Sequence, residues 1–347
     1  MKFSLLFFAA AADDSRSNRY NLLLDAARRA DVGPLTAVWL PERHFAEFGG
    51  DYPNPSVLAG AIAMLTSHIR LRAGSVIAPL HDPLRIAEEW AVVDNLSKGR
   101  AEISFGSGWN VNDFVLAPGR YDDRREVTYD TIGVVQRLWR GEPVGRQNGA
   151  GKTFEVRTLP RPVQPELPVW LTAQSDQTFK NAGAAGYGVL TNLNFNTPEV
   201  TAKRVGLYRD ACQESGAENR GQVALMVHTY LAESQTDAHA MASPALRRYL
   251  ASNLDLRSQF AAGKRGESGH AGAGIDLSRI IDNGIARIYD WAGLIGSVDS
   301  VMPNIERFAA MGVDELACLI DFGVDQEATL DGIERIGQLA EKYASVN

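Results

Sequence analysis

The sequence predicts an α/β chain folded as a (β/α)₈ TIM barrel. Eight short apolar runs recur along the chain, and amphipathic helical runs separate them. Buried strands joined by helices form a parallel sheet, and eight such units favour closure over an open sheet. No linker or internal repeat interrupts the 347 residues, so residues 1–347 are expected to form a single barrel domain. Barrels well past ~250 residues are common.

The strands are expected at Lys2–Phe8, Ala37–Leu40, Arg70–Ile77, Ala101–Phe105, Val169–Thr172, Gly188–Thr191, Gln222–Leu231 and Glu315–Ile320. The first run, with the small residues that follow it, could pass for a secretory signal. The alternation behind it favours a buried first strand, and it is far shorter than the ~20 apolar residues of a membrane span. Helical stripes recur at Tyr20, Leu23, Leu24 and Ala27, at Val127, Thr131, Val134 and Leu138, and at Val301, Ile305 and Phe308. Asp82-Pro83 has the form of a helix start, a capping carboxylate followed by proline. Two stretches break the alternation. Gly141–Pro168 is rich in Gly and Pro and predicts a hairpin or lid-like excursion. Ser252–Gly274 is polar and Gly-rich and predicts a loop.

Composition narrows the function classes. The formal charge is −7, from 35 basic and 42 acidic residues, which disfavours a nucleic-acid partner. No membrane partner is expected. Cys212 and Cys318 are isolated, so neither a zinc site nor a disulfide framework is expected, and a reducing cytoplasm fits.

Function in such a barrel sits just beyond the carboxyl ends of the strands. Beyond the second strand lies Pro41-Glu42-Arg43-His44-Phe45, where a carboxylate, a guanidinium and an imidazole suit proton transfer and orientation. The alternative is a solvated loop with a weak ion pair. Gly74 and Ser75 end the third strand, and glycine there lets a planar ligand approach the backbone. His81-Asp82 follows, either as a base with its orienting carboxylate or as a loop residue beside a helix cap, the second being favoured for Asp82. Beyond the fourth strand, Gly106-Ser107-Gly108-Trp109-Asn110 suits a flat aromatic ligand but is not a complete dinucleotide fingerprint. Beyond the fifth, Gln174-Ser175 opens a helix with Thr178 one turn in, which makes an anion site or an ordinary serine cap. Asp176 is expected to face away from any anion. His68 and His239 are expected to be exposed, and His270 to lie in the second excursion. His228 falls in the seventh strand, where it could point into the barrel mouth.

Together these segments resemble the luciferase-like flavin-dependent monooxygenases. The resemblance covers nearly the whole chain, including Met1-Lys2-Phe3, Pro41–Gly50, Asn54-Pro55, Gly74–Pro83, Asp94–Arg100 and Ala173–Thr178. A subgroup found in natural-product assembly, the mupirocin-type enzymes, is similar over Pro41–Phe45, Asn112–Pro118, Arg157–Pro165 and Ala317–Gly323. The resemblance implies a luciferase-like barrel that takes FMN as FMNH₂ from a separate flavin reductase. It implies reaction with O₂ to a C4a-hydroperoxide that oxygenates a small-molecule or carrier-protein-tethered substrate. It implies cofactor contacts from Gly74, Ser75, Ser107, Gly108, Gln174, Ser175 and Thr178, with the 74–75 peptide often cis. Glu42, Arg43 and His44 then become the catalytic candidates, and Trp109, Asn110 and His228 the substrate candidates; a homodimer is expected. The chain also departs from the pattern. Arg43 stands where bacterial luciferase has its acid–base histidine, so light emission is not expected. Ser107 replaces a phosphate-contacting arginine, Gln174 replaces a glutamate, and Asn110 stands where the subgroup has histidine. The rival readings are a deazaflavin-dependent oxidoreductase and a non-catalytic flavin-binding barrel.

Overall fold

The computed structural model describes residues 1–8, 19–193, 196–217, 221–265 and 276–346, with side chains over the same ranges except 256–265 and 346. In chain order the elements are β1 (Lys2–Leu6), α1 (Asn21–Val32), β2 (Ala37–Leu40), α2 (Pro55–Ala63), β3 (Arg70–Ile77), α3 (Pro83–Ser97), β4 (Ala101–Gly106) and α4 (Arg124–Arg140). The hairpin β5 (Val144–Gln147) and β6 (Thr153–Val156) comes next, then β7 (Val169–Thr172), α5 (Asp176–Ala185), β8 (Gly188–Asn192) and α6 (Pro198–Glu214). The chain continues through β9 (Val223–Leu231), α7 (Gln235–Arg265), α8 (Leu277–Arg287), β10 (Gly293–Gly296), α9 (Met302–Ala310), β11 (Glu315–Leu319) and α10 (Gln326–Val346).

The sheet runs β9-β11-β1-β2-β3-β4-β7-β8, and a β8–β9 pairing closes it into a barrel of parallel strands. The eight expected strands are those of the ring. One further strand, β10, pairs with His228–Leu231 at the far end of β9. It has only four residues and follows a helical run directly, so no periodicity marks it.

Side-chain alternation divides the core in two. Phe3, Leu5, Val38, Leu40, Leu71, Ile103, Leu171, Val189, Leu225 and Cys318 face outward and pack among the surrounding helices. Leu6, Trp39, Trp170, Leu190, Ala224, Met226, Ala317 and Leu319 form the second cluster, inside the ring. Each fully buried Leu or Phe contributes roughly 1.5–3 kcal/mol. The helices start where the sequence supplies caps. Asn54 accepts from Ser56 N–H and Val57 N–H, Asp82 accepts from Leu84 N–H, and Thr197 accepts from Val200 N–H, each followed by proline.

The first excursion contains the expected hairpin, with Val144 opposite Val156. Buried Asp94 pins the segment leading out of it, accepting from Val163 N–H (2.7 Å), Gln164 N–H (2.9 Å) and the Gln164 side-chain amide (2.7 Å). The second excursion corrects the sequence reading. Residues 252–265 continue α7 rather than forming a loop, because Leu250 and Leu254 lie one helical turn apart and pack on the inner cluster. The rest of that stretch, with His270, lies outside the described residues. His239 is also corrected. Its ring is half-buried and stacks on Tyr289 at 4.0 Å, so it is not an exposed helix residue. His68 is exposed as expected.

Candidate active site

Two consecutive strand ends bring together residues 39 positions apart. Glu42, beyond β2, is buried and accepts three hydrogen bonds. His44 Nε2 lies 2.9 Å and His81 Nε2 2.5 Å from its Oε1, and Ile77 N–H donates to Oε2 at 2.6 Å. Burial alone would raise the Glu42 carboxyl, but the two imidazoles and the backbone N–H outweigh it and hold it below its usual value. An ionised carboxylate accepts only, so His44 presents Nε2–H to it, and a neutral His44 ring then has its lone pair on Nδ1. Burial pulls His81 down, while Glu42 and Glu89 pull it up further, and the net shift is upward. The partner of His81 is therefore Glu42, and Asp82 is the helix cap. The sequence signal for this cluster was the position of both segments at adjacent strand ends; the cap reading favoured for Asp82 holds, and no other partner was named for His81.

Arg43 points the other way, into an aromatic cage. Its guanidinium carbon lies 4.4 Å from the Phe8 ring centre, 5.4 Å from Phe48 and 5.9 Å from Trp109. Gly49, at φ +82°, closes the loop around it, since a Cβ there would meet Arg43 Cδ at 2.6 Å. From Phe48 the wall of rings continues to Tyr249 (5.1 Å), His228 (5.0 Å) and Phe322 (5.9 Å). Tyr249 lies on α7, so that helix walls the mouth. His228 points inside the ring, where burial lowers its pKa to about 4 and keeps it neutral. With Leu193, Met226, Leu250 and Ile288 it lines a cavity of about 80 Å³.

Asp321 ties this side together by accepting from Phe8 N–H at 3.0 Å and from the buried Tyr52 hydroxyl. Asp113, which the sequence reading did not single out, is buried within electrostatic reach of His44, Arg43 and Glu42. Burial pushes its carboxyl up to about 6, partly offset by His44 and Arg43. Asn110 donates to it at 2.8 Å and accepts from Asn112 N–H, so its amide is engaged within its own turn. An acid whose folded pKa lies above its unfolded value of 3.8 loses stability as pH rises between the two. Asp113→Asn should therefore raise the melting temperature by an amount that grows from pH 4 to about 6 and is level above it. Thermal denaturation of both proteins across that range checks this.

The third group lies at the ends of β3, β4 and β7. The Gly74–Ser75 peptide is cis, as the resemblance implied, and the β3–β4 register shifts there. The hydroxyls of Ser75, Ser104 and Thr172 meet, with Ser104 and Thr172 at 3.1 Å and Ser75 bonded to Thr172. Beside them a cavity of about 140 Å³ is lined by Ser107, Arg125, Tyr129, Thr172, Ser175, Thr178 and Asn181. Ser175 caps α5 by accepting from Thr178 N–H, and the two hydroxyls lie 2.9 Å apart. Asp176 pairs with Arg204 at 2.9 Å and Lys203 at 3.5 Å, away from this cavity. Gln174 is exposed and contacts Thr191 and Asn196 instead. Arg125, on α4, brings a cation to the lining of the cavity that Ser107 also borders. It was missed because it arrives from a helix, not from a strand end. Gly108 needs its positive φ of +72°, as a Cβ there would meet Ile77 and Phe114 at 2.9 Å.

A larger cavity, about 690 Å³, opens at the other end of the barrel around Glu166, Val169 and Gly188. Barrel chemistry belongs to the carboxyl ends, where the titratable cluster lies. Among the described residues, no group of three or more His, Cys, Asp or Glu side chains could hold a metal ion, and no helix is long and apolar enough to cross a membrane.

The chain is 27% identical to the flavin-dependent trigonelline monooxygenase, oxygenase component, of Acinetobacter baylyi, over 97% of this chain and 93% of that protein. Its fold matches monooxygenase RslO1 from Streptomyces bottropensis with a TM-score of 0.82 at 24% identity, covering 99% and 100% of the two chains. It also matches the oxygenating constituent of 3,6-diketocamphane monooxygenase from Pseudomonas putida, a type II Baeyer–Villiger enzyme in complex with FMN, with a TM-score of 0.76 at 18% identity over 99% and 98%. Residues 1–315 match the luciferase-like monooxygenase model, and the chain belongs to that family of oxidoreductases.

Proposed function

We propose that this chain is the oxygenase half of a two-component monooxygenase that uses FMNH₂ delivered by a separate reductase. The observation that carries this is the lining of the 140 Å³ cavity: the hydroxyl residues Ser107, Ser175 and Thr178, the N-terminus of α5 and Arg125 border one space, a donor set that suits a phosphate. Ser107, Ser175, Thr178 and Arg125 would hold the phosphate, and Gly74, Ser75 and Gly108 would border the ring. Reduced flavin supplies activation of O₂, from which one oxygen atom enters a substrate. The chain's own work is to orient, to exclude water and to manage protons. Arg43 and its aromatic cage bound the reacting space, α7 shields it, and His44 takes or gives a proton through Nδ1. Neutral His228 lines a small cavity with apolar residues and Arg287, and this cavity reads part of the substrate. The resemblance to the natural-product subgroup extends this to an assembly-line substrate, free or on a carrier protein.

The test is turnover with a flavin reductase, FMN and ¹⁸O₂ against panels of ketones, amines, phenols and carrier-bound acyl groups. One ¹⁸O atom in product supports the reading. Oxygen consumption without labelled product across all panels would favour a non-catalytic flavin-binding barrel, and tighter binding of a deazaflavin than of FMN would favour a hydride-transfer enzyme. Arg125→Ala or Ser175→Ala should each weaken FMN binding about tenfold, from the ~1.5 kcal/mol of a charged hydrogen bond, with riboflavin affinity unchanged. Flavin fluorescence titrations at two salt concentrations check this.

We also propose a homodimer. Val57, Met64 and Leu65 at α2 and Val92 and Leu96 on α3 are exposed on neighbouring helices, and such an apolar face wants a partner. Light scattering should give twice the chain mass, and Val57→Glu with Leu96→Glu should give a monomer.

A further inference from the structure

His44 and His81 share one carboxylate oxygen, and their surroundings differ. Oε1 of Glu42 lies 2.9 Å from His44 Nε2 and 2.5 Å from His81 Nε2. The Glu42 side chain is fully buried and that of His44 is 9% exposed, whereas the His81 side chain is 32% exposed. The trio thus runs from the enclosed mouth to solvent. Two imidazolium ions on one carboxylate would leave a net positive charge buried, whereas one leaves the trio neutral.

We propose that His81 is a positioning residue that acts through Glu42: it releases a proton to solvent when His44 takes one from the reaction, so the trio stays neutral throughout. The step balances without any electron transfer. An N–H bond forms at His44 Nδ1, an N–H bond breaks at the other ring nitrogen of His81, and water or buffer accepts that proton. Glu42 remains a carboxylate, accepting Nε2–H from both rings before and after. The other charged groups around the trio are Glu89 and Arg120 on the His81 side, and Arg43 and Asp113 on the His44 side. Glu89 favours the charged form of His81 and Arg120 opposes it, which leaves Glu42 as the group that links the two rings.

The proposal rests on the reading that His44 handles a proton at the mouth, but its test needs neither flavin nor substrate. Nitrogen-15 NMR titration of the histidine rings in the flavin-free protein gives the tautomer and pKa of His44. His81→Gln removes the competing cation and should raise the His44 pKa by about one unit. His81→Lys keeps a cation beside Glu42 at every pH and should hold the His44 pKa at or below its wild-type value, with Nε2–H still the donor in both variants. A rise in His81→Gln with no rise in His81→Lys supports the coupling. Shifts of the same sign, or a His44 pKa unchanged in both, would overturn it. The ¹⁸O result is obtained on the wild-type protein and does not depend on either NMR outcome, so failure of this proposal and failure of the oxygenase reading are distinguishable.

Discussion

Arg72→Met should destabilise the barrel by about 3–5 kcal/mol at neutral pH, because it leaves the buried Glu315 carboxylate without its cation. Arg72 is 3% exposed and lies inside the ring. It donates to Glu102 at 2.6 Å and to both oxygens of Glu315 at 2.7 and 2.9 Å. Its guanidinium sits between the Trp39 and Trp170 rings, 4.7 and 4.6 Å from their centres. Ser4 and the two indole N–H groups also donate to the carboxylates, and Arg70 pairs with Glu102 as a second cation. Burial would push Glu315 up, but Arg72 and the neutral donors hold it below its ordinary value. A carboxylate lowered on folding stabilises above its unfolded pKa of 4.5, and that stabilisation is lost as pH falls through the folded value. Without Arg72 the same carboxyl is raised, so the variant's penalty applies only where Glu315 must ionise. The gap between the two proteins should be widest at pH 7 and should shrink toward pH 4. Urea denaturation at several pH values measures it. An Arg72→Met protein as stable as wild type at pH 7 would mean that the network contributes nothing.

That network marks where the sequence was legible and where it was not. The apolar runs located all eight strands of the ring, because a strand buried on both faces has few polar residues to blur it. The same strands carry Ser4, Arg72, Glu102, Ser104, Thr172, His228 and Glu315, and nearly all of them fall on the inward parity of their strands. Alternation within each run would have separated this polar lining from the outward apolar face, but only once the registers between strands are known. Glu42, His44 and Ser175 could be read from strand ends alone. His81's true partner, Arg125 and Asp113 could not, since each depends on which loops and helices meet above the ring. The reading of 252–265 as a loop failed because glycine and polar composition were weighed over the leucine spacing that carries α7 onward.

Glu42→Gln should lower the oxygenation rate by roughly a hundredfold or more, the loss typical of disabling acid–base chemistry. The substitution keeps the shape, removes the charge and turns one acceptor oxygen into a donor. Three donors converge on the carboxylate, and an amide offers them one oxygen and an NH₂ group. Either Ile77 N–H or the two imidazoles must then face a donor. His44 loses the acceptor that fixes its tautomer, so Nδ1 no longer holds the lone pair in every molecule. His81 loses the anion that raised its pKa, and burial then lowers it below the ordinary value of 6.5. Stability should record the same change. Glu42, lowered on folding, contributes above its unfolded pKa of 4.5 and loses that contribution as pH falls through the folded value. His81, raised on folding, contributes fully below 6.5 and loses that contribution as pH rises through its raised value. The stability difference between wild type and Glu42→Gln should therefore peak between about pH 4.5 and 6.5 and narrow on both sides. Thermal melts across pH 4–9, set beside rates of ¹⁸O incorporation, separate the two effects. A large rate loss with a flat stability difference would assign Glu42 to chemistry alone, and a peaked stability difference with an unchanged rate would make it a structural tie at the mouth.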